Sequence, residues 1–182
     1  MAKKTRKARS ARKASQRKRP KQARKVSPIP PGYHSVTPYL TIRNAAQAIA
    51  FYQRAFGAKE VLRMPGPDGQ TVMHAELKIG DSFVMLSDEF PDMGARSPQM
   101  LGGSPVSLLI YTRDVDALYQ RAVQAGATPQ MPPQDMFWGD RWAKLSDPYG
   151  HAWQIATHKE DLSPKEIGRR AQAAMAEMGR KG

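Results

Sequence analysis

The sequence predicts an α+β fold in which two βαβββ modules pair into a curved mixed sheet around a cleft. Three observations support this prediction. A tight turn that feeds a half-buried strand occurs at residues 80–86 and again at 147–158, and the two copies lie about seventy residues apart. A one-faced helix that ends at a glycine stands earlier in each copy. Neither half can cover its own sheet with one helix and still protect its edge strands, so we expect the halves to pair.

The two helices are predicted over residues 43–58 and 113–127. Asn44 and Asp114 are suitable N-caps, and Gly57 and Gly126 suit the left-handed position after a helix. Apolar side chains recur at three- and four-residue spacing in both segments, which indicates one buried face for each helix. They are Ile49, Tyr52 and Phe56 in the first helix, and Val115, Leu118, Ala122 and Ala125 in the second.

Short strands are predicted around these helices from apolar and polar alternation. In the first copy they cover residues 35–42, 60–64, 72–79 and 82–87. In the second copy they cover residues 106–112, 128–131, 141–145 and 151–157. The last strand follows Asp147-Pro148-Tyr149-Gly150-His151, where proline fixes φ and glycine accepts a positive φ, so a tight turn is expected there.

These segments resemble the vicinal oxygen chelate superfamily of glyoxalases, bleomycin-resistance proteins and extradiol dioxygenases. The resemblance extends over residues 30–161, and residues 32–40 and 155–158 are most similar to the PhnB-like branch. The residues that carry it are Arg43-Asn44-Ala45-Ala46, Ala50-Phe51-Tyr52, Phe56-Gly57-Ala58, Asp114-Val115-Asp116-Ala117, Ala125-Gly126-Ala127 and Asp147-Pro148-Tyr149-Gly150-His151. The family resemblance implies one domain over residues 30–161, with modules at 35–87 and 106–158, between residues 1–29 and a C-terminal helix at 162–182.

Composition limits the class of protein. A chain of 182 residues can bury a sizeable core. It has no cysteine, which excludes disulfides and thiolate metal sites. No stretch approaches the roughly eighteen apolar residues of a membrane helix, and no apolar signal region is present, so a cytoplasmic protein is expected.

The net charge of +13 comes from the N-terminal arm. Residues 3–25 hold 13 of the 29 Lys and Arg and no Asp or Glu, which leaves 16 basic residues against 16 acidic ones. So high a charge with so few apolar residues predicts a disordered arm. It is either a solvated extension or a non-specific nucleic-acid contact, and without interleaved aromatic residues such binding would be electrostatic and salt-dependent.

Two other segments leave alternatives open. The connection at residues 88–105 is long enough for a lid or binding loop, and it is equally consistent with a passive crossover. Ser163-Pro164-Lys165-Glu166 forms a capping box for a C-terminal helix. Ile167, Ala171, Met175 and Met178 line one face of that helix, which is expected to dock on its own domain or on a second subunit of a homodimer.

Strand alternation separates core residues from cleft residues. Leu40, Ile42, Leu108 and Ile110 are predicted to lie under the helices. The alternate residues of these strands are predicted to face the cleft. They are mostly aromatic with few polar groups, which is typical of a small-molecule site. The predicted substrate-binding residues are Thr37, Tyr39, Phe83, Met85, Ser107, Tyr111, Trp142, Lys144 and Gln154.

The resemblance also implies where metal ligands would lie. Aligning the modules places the superfamily's ligand positions at Thr37, Met85, Ser107 and Gln154. Hydroxyl, thioether and a lone amide are poor ligands for a divalent cation, so no metal and no other cofactor is predicted. His74 and Glu76, with His158, form an alternative ligand set and the first two are also candidate catalytic residues. These residues are alternatively expected to have structural roles only. Glu76 would then pair with Lys144, His74 would form a hydrogen bond with a neighbour, and His151 would point away from the ligand.

The sequence therefore predicts a protein that binds a small organic molecule in the inter-module cleft without the superfamily's usual metal. The first alternative is an enzyme of the lyase, isomerase or dioxygenase kinds found in the superfamily, using general acid–base groups. The second is a nucleic-acid-associated protein that acts through its basic arm. The ligand is not identified by the sequence.

Overall fold

The computed structural model describes residues 26–180, and the predicted basic arm at residues 3–25 lies outside the described residues. The first module contains β1 (Tyr39–Ile42), α1 (Ala45–Phe56), β2 (Lys59–Pro65), β3 (Val72–Ile79) and β4 (Ser82–Asp88). A connection with a 3₁₀ turn (Pro91–Met93) and α2 (Pro98–Leu101) follows. The second module contains β5 (Ser107–Tyr111), α3 (Val115–Ala125), β6 (Thr128–Asp135), β7 (Asp140–Ser146) and β8 (Ala152–His158), and α4 (Pro164–Met178) comes last.

The predicted α+β fold class is confirmed. Each module forms a four-stranded mixed sheet, ordered β1-β4-β3-β2 in the first and β5-β8-β7-β6 in the second. β1 is parallel to β4 and β5 is parallel to β8, while the remaining pairs are antiparallel. Within the described residues no ladder joins the two sheets, so the curved surface has a seam between its two halves.

The core lies on one side of both sheets, where α1 packs on α3. Leu40 and Ile42 are buried there, as strand alternation predicts, and so are Ala75, Leu77 and Trp153. The opposite face of each sheet, which we call the open face, carries side chains of the other parity. Tyr39 and Tyr111 are 51% and 60% exposed there, which shows that little of the chain covers these faces.

Both predicted N-cap residues occupy the N-cap position, but only the second one caps its helix with its side chain. Asp114 caps α3 as expected, since its carboxylate accepts the Ala117 amide proton at 2.9 Å. Asn44 has φ 64° and makes no side-chain cap. Asp88, at the end of β4, instead accepts the Ala45 amide proton at 2.8 Å. A capping side chain normally extends from a residue with extended backbone, and Asn44 is left-handed.

The first strand is shorter than predicted and begins at Tyr39. Pro38 can accept the Met85 amide proton, at 2.9 Å, but it has no amide proton with which to extend the ladder. Before it, the chain makes a turn in which Tyr33 N–H donates to the Pro30 carbonyl at 3.1 Å. Thr37 therefore lies just before the strand.

The connection between the modules is packed on the protein. Ser97 is fully buried, and its hydroxyl donates to the Glu89 carboxylate, which also accepts a 2.6 Å bond from Arg43. From α2, the side-chain amide of Gln99 donates to the Pro148 carbonyl at 3.3 Å. The connection thus contacts the turn that feeds β8.

The C-terminal helix starts at its predicted cap, where the Glu166 amide proton is donated to the Ser163 hydroxyl at 3.2 Å. Its Arg170 forms a 2.9 Å ion pair with Glu160. Met175 and Met178 are 63% and 66% exposed, so the far end of the apolar stripe is uncovered in a single chain. None of the helices in residues 26–180 has the length and apolar character needed to cross a membrane.

Candidate functional site

A row of four hydrogen-bonded side chains crosses the open face of the first sheet. The Tyr39 hydroxyl lies 3.1 Å from Nδ1 of His74, and Nε2 of His74 lies 3.3 Å from Glu76. The other carboxylate oxygen of Glu76 accepts a hydrogen bond from the Tyr33 hydroxyl. The row is satisfied when His74 donates from Nε2 and accepts at Nδ1. Burial, followed by the bond to Glu76, raises the pKa of Tyr33 to about 12.

His74 and Glu76 belong to β3, where alternation brings them to the same face as Tyr39 and Met85 of the neighbouring strands. Their side chains are 23% and 17% exposed. The expected ion pair between Glu76 and Lys144 is not observed, because Lys144 lies in the second sheet opposite Gln154 and Glu76 bonds within its own module.

The open face of the second sheet carries a shorter row. Trp142 Nε1 donates to the Gln154 carbonyl at 3.0 Å, and the Gln154 amide donates to the Ser107 hydroxyl at 2.6 Å. Trp138 contacts the edge of Trp142, with ring centroids 6.1 Å apart. Both polar groups of Gln154 are therefore occupied by neighbours in its own sheet.

An open cavity of about 540 Å³ lies between the modules. The segment before β1, the turn between β3 and β4, and strand β5 enclose it. Leu109 and Tyr111 supply apolar surface from the second module, while His34, Thr37 and Ser82 supply polar groups from the first. Apolar lining with a few polar groups is typical of a small-molecule site.

The predicted binding residues divide between this cavity and its surroundings. Thr37, Phe83 and Tyr111 line the cavity. Tyr39 lines a neighbouring cavity of about 350 Å³, which reaches from β1 to residues 103–108. Neither of these two cavities is lined by the remaining predicted residues, which are Met85, Ser107, Trp142, Lys144 and Gln154.

Tyr111 is held by a second cluster of titratable groups. Its hydroxyl donates to Asp140 at 3.0 Å, and the same carboxylate contacts Nδ1 of His158 at 2.7 Å. Burial and Asp140 raise the pKa of Tyr111. Bonds to Asp161 and then to Asp140 raise the pKa of His158. His158 thus lies apart from His74 and Glu76 and does not complete a three-ligand metal set with them.

His151 is buried, as its predicted orientation away from the cleft requires. Burial lowers its pKa, and the Asp147 carboxylate and the Thr41 backbone partly oppose this shift. No group of three or more His, Asp or Glu side chains in residues 26–180 is placed to hold a metal ion.

Sequence reasoning missed Tyr33 and Asp140, and it treated Asp147 only as a turn former. Asp147 is buried and accepts hydrogen bonds from Tyr52 at 2.7 Å and from Trp153 Nε1 at 2.9 Å, so it joins α1 of the first module to β8 of the second. The sequence identified Asp147 only as the first residue of a turn, because its partner Tyr52 lies 95 residues earlier in the chain. For Tyr33 no periodic signal existed, because it precedes the first strand.

The described chain is thus a pair of βαβββ modules with a cavity between them. Residues 33–155 match the model of the Glyoxalase/Bleomycin resistance protein/Dioxygenase superfamily, and the chain belongs to this family. Its resemblance to the vicinal oxygen chelate superfamily is thereby confirmed.

Individual proteins and solved structures are also similar to this chain. The chain is 43% identical over 148 residues to the Mycobacterium tuberculosis protein Rv0887c, covering 80% of this chain and 84% of the relative. The crystal structure of TioX from Micromonospora sp. ML1 is similar with a TM-score of 0.54 and 27% identity, covering 68% of this chain and 97% of TioX. A PhnB protein from Bacillus cereus has the same fold, with a TM-score of 0.53 and 19% identity over 68% of this chain and 99% of that protein.

Proposed function

We propose that this protein binds a small, flat organic molecule in the 540 Å³ cavity between its modules. The observation that carries the proposal is the composition of this cavity, in which Phe83, Leu109 and Tyr111 surround polar groups of His34 and Thr37. A volume of this size falls in the usual range of about 300–1,000 Å³ for ligand pockets. Phe83 and Tyr111 come from different modules, so a ligand between them would contact both halves.

We propose that binding does not use a metal. The family's ligand positions hold Thr37, Met85, Ser107 and Gln154, which lack a carboxylate or imidazole. Two of them, Ser107 and Gln154, already bond to each other at 2.6 Å. A divalent cation needs stronger oxygen or nitrogen ligands than hydroxyl, thioether and one amide. These residues therefore do not fit the metal that the fold family implies.

The cavity proposal can be tested with 8-anilinonaphthalene-1-sulfonate, a fluorescent aromatic probe. Tyr111→Ala should weaken its binding roughly tenfold, since a buried aromatic contact contributes about 1 kcal/mol beyond its area and 1.4 kcal/mol is a factor of ten. Tyr111→Phe keeps the ring and should bind within about threefold of the unmodified protein. Met175→Ala, on exposed surface of α4, is the control outside the cavity. Unchanged affinity in Tyr111→Ala and Leu109→Ala would refute the cavity as the site.

Catalysis is the second candidate, and the row of Tyr33, Glu76, His74 and Tyr39 favours it. A partly buried carboxylate between a phenol and an imidazole has the parts of a general acid–base group. Turnover should be screened on aromatic amides, α-keto acids and phosphonates. For an enzyme, Glu76→Gln lowers turnover by about 10² or more with little change in affinity. For a protein that only binds its ligand, Tyr111→Ala changes the affinity and no turnover is found.

We also propose a homodimer. Leu62 and Met64 lie two residues apart on the open face of β2, and they are 42% and 52% exposed. Contiguous exposed apolar surface of this kind marks interaction sites. Light scattering after gel filtration should give twice the chain mass of 20.2 kDa, and Met64→Glu should return it to one chain. A single-chain mass for the unmodified protein would refute this.

A further inference from the structure

Tyr33 covers part of the open face of the first sheet. Its ring stacks on Phe83 with centroids 4.2 Å apart and an interplanar angle of 14°. Its hydroxyl donates to Glu76. The Tyr33 side chain therefore covers the Phe83 ring and also donates a hydrogen bond to a carboxylate. The preceding Gly32 has φ 86°, and a Cβ there would lie 3.1 Å from the Phe83 ring, which shows how closely the backbone passes over it.

The segment that carries Tyr33 has few other attachments. Pro31, Gly32, His34, Ser35 and Val36 are all exposed, and Val36 is 85% exposed. Its other hydrogen bonds are short-range ones, from Tyr33 N–H to Pro30 and from Thr37 to the His34 carbonyl at 3.2 Å. The Tyr33 side chain is therefore the main contact between residues 30–36 and the sheet below them.

Phe83 connects this contact to the proposed cavity. The same ring that stacks on Tyr33 lines the 540 Å³ space, although Tyr33 itself does not. Withdrawal of Tyr33 would extend the cavity along Phe83 as far as Glu76. The exposed surface would offer a flat apolar ring beside a carboxylate whose only other hydrogen-bond partner is His74 in the described part of the chain.

We infer that Phe83 and Glu76 form a binding subsite for an aromatic ring that carries a hydrogen-bond donor, such as a phenol, and that Tyr33 occupies this subsite until the ligand displaces it. The inference rests on the proposed function, because the subsite is an extension of the proposed cavity. Tyr33 acts as an intramolecular competitor: if it leaves the subsite free in about one molecule in ten, the apparent affinity for a ligand is about tenfold weaker.

p-Cresol, which has the chemistry of the tyrosine side chain, is the probe for this subsite, and toluene is the matched probe without a donor. Titration followed by NMR should show that Tyr33→Ala binds p-cresol about tenfold more tightly than the unmodified protein, corresponding to about 1.4 kcal/mol. Ser35→Ala changes an exposed residue of the same segment and should leave affinity unchanged. In Tyr33→Ala combined with Glu76→Leu, which removes the hydrogen-bond acceptor, the preference for p-cresol over toluene should be lost.

A direct readout of displacement uses the unmodified protein. Saturation with p-cresol should shift the Tyr33 ring resonances towards those of an unstacked tyrosine, because stacking on Phe83 is lost. Equal or weaker p-cresol binding by a folded Tyr33→Ala variant would overturn the inference, as would unmoved Tyr33 resonances at saturation. Binding of 8-anilinonaphthalene-1-sulfonate distinguishes this inference from the proposed function. If the p-cresol experiments fail but Tyr111→Ala still weakens binding of that probe, the subsite is wrong and the cavity proposal stands.

Discussion

Replacement of Asp147 should destabilise the protein more than replacement of any surface carboxylate. The buried Asp147 side chain accepts hydrogen bonds from Tyr52, Trp153, and the amides of Tyr149 and His151, at 2.7, 2.9, 2.9 and 2.9 Å. Burial, followed by the Asp147 charge, raises the pKa of Tyr52 well above its ordinary value, so this phenol stays protonated as a donor.

The magnitude follows from the donors that Asp147→Ala would leave unpaired. Tyr52 and Trp153 are 0% and 1% exposed, so water cannot easily replace the carboxylate. Each buried donor without a partner costs about 1–3 kcal/mol, which gives about 2–6 kcal/mol for the pair. The middle of this range is a loss of about 4 kcal/mol in the free energy of unfolding. A chain of this size loses about 2–4 °C per kcal/mol, so the melting temperature should fall by about 8–16 °C.

Urea unfolding followed by circular dichroism measures this free energy. Tyr52→Phe removes one hydrogen bond to a charged group and should cost about 1.5–3 kcal/mol. Tyr119→Phe is the matched control, because Tyr119 is only partly buried and its hydroxyl forms no hydrogen bond within residues 26–180; it should change stability by less than about 0.5 kcal/mol. A loss below about 1 kcal/mol in Asp147→Ala would refute the view that this carboxylate holds the modules together.

Three further predictions concern other parts of the chain. Gly150→Ala should cost more than Gly126→Ala in the same unfolding assay, since both have positive φ but only the Cβ at Gly150 would lie 2.9 Å from Pro98; equal losses would contradict the predicted clash. Asp161 and Asp140 raise the pKa of His158, so its stabilising effect is complete below the ordinary histidine pKa and is lost as pH rises through the native one. The stability difference between the protein and His158→Gln should therefore shrink from mildly acidic to alkaline pH, and a constant difference would argue against this linkage. Elemental analysis of protein purified without chelators should find less than about one-tenth equivalent of zinc, iron, nickel or manganese, whereas near-stoichiometric metal would show that the ligand argument is wrong.

Much of the fold could be predicted because it depends on local patterns. Alternation placed Leu40 and Ile42 in the core and Tyr39 on the open face, since successive side chains of a strand point to opposite sides. The glycines that end α1 and α3 were identifiable because both need a left-handed backbone.

The features that could not be predicted depend on residues distant in sequence. Asp88 caps a helix that begins 43 residues earlier, and no local motif reveals such a pairing. The stack of Tyr33 on Phe83 joins a segment without periodicity to the start of a strand. Residues of the candidate site were predicted by face, but their division between the 540 Å³ cavity and the separate hydrogen-bonded rows depends on how the two modules meet at the seam.

The seam has a consequence for how this protein can change. Cohesion between the modules comes from the helical side, through Tyr52, Asp147 and Trp153, while the two sheets share no backbone ladder in residues 26–180. A substitution on the open face therefore alters the proposed ligand surface without removing these hydrogen bonds between the modules. The proposed binding surface can therefore change its ligand chemistry at small cost in folding free energy, while the Asp147 hydrogen bonds keep the two halves joined.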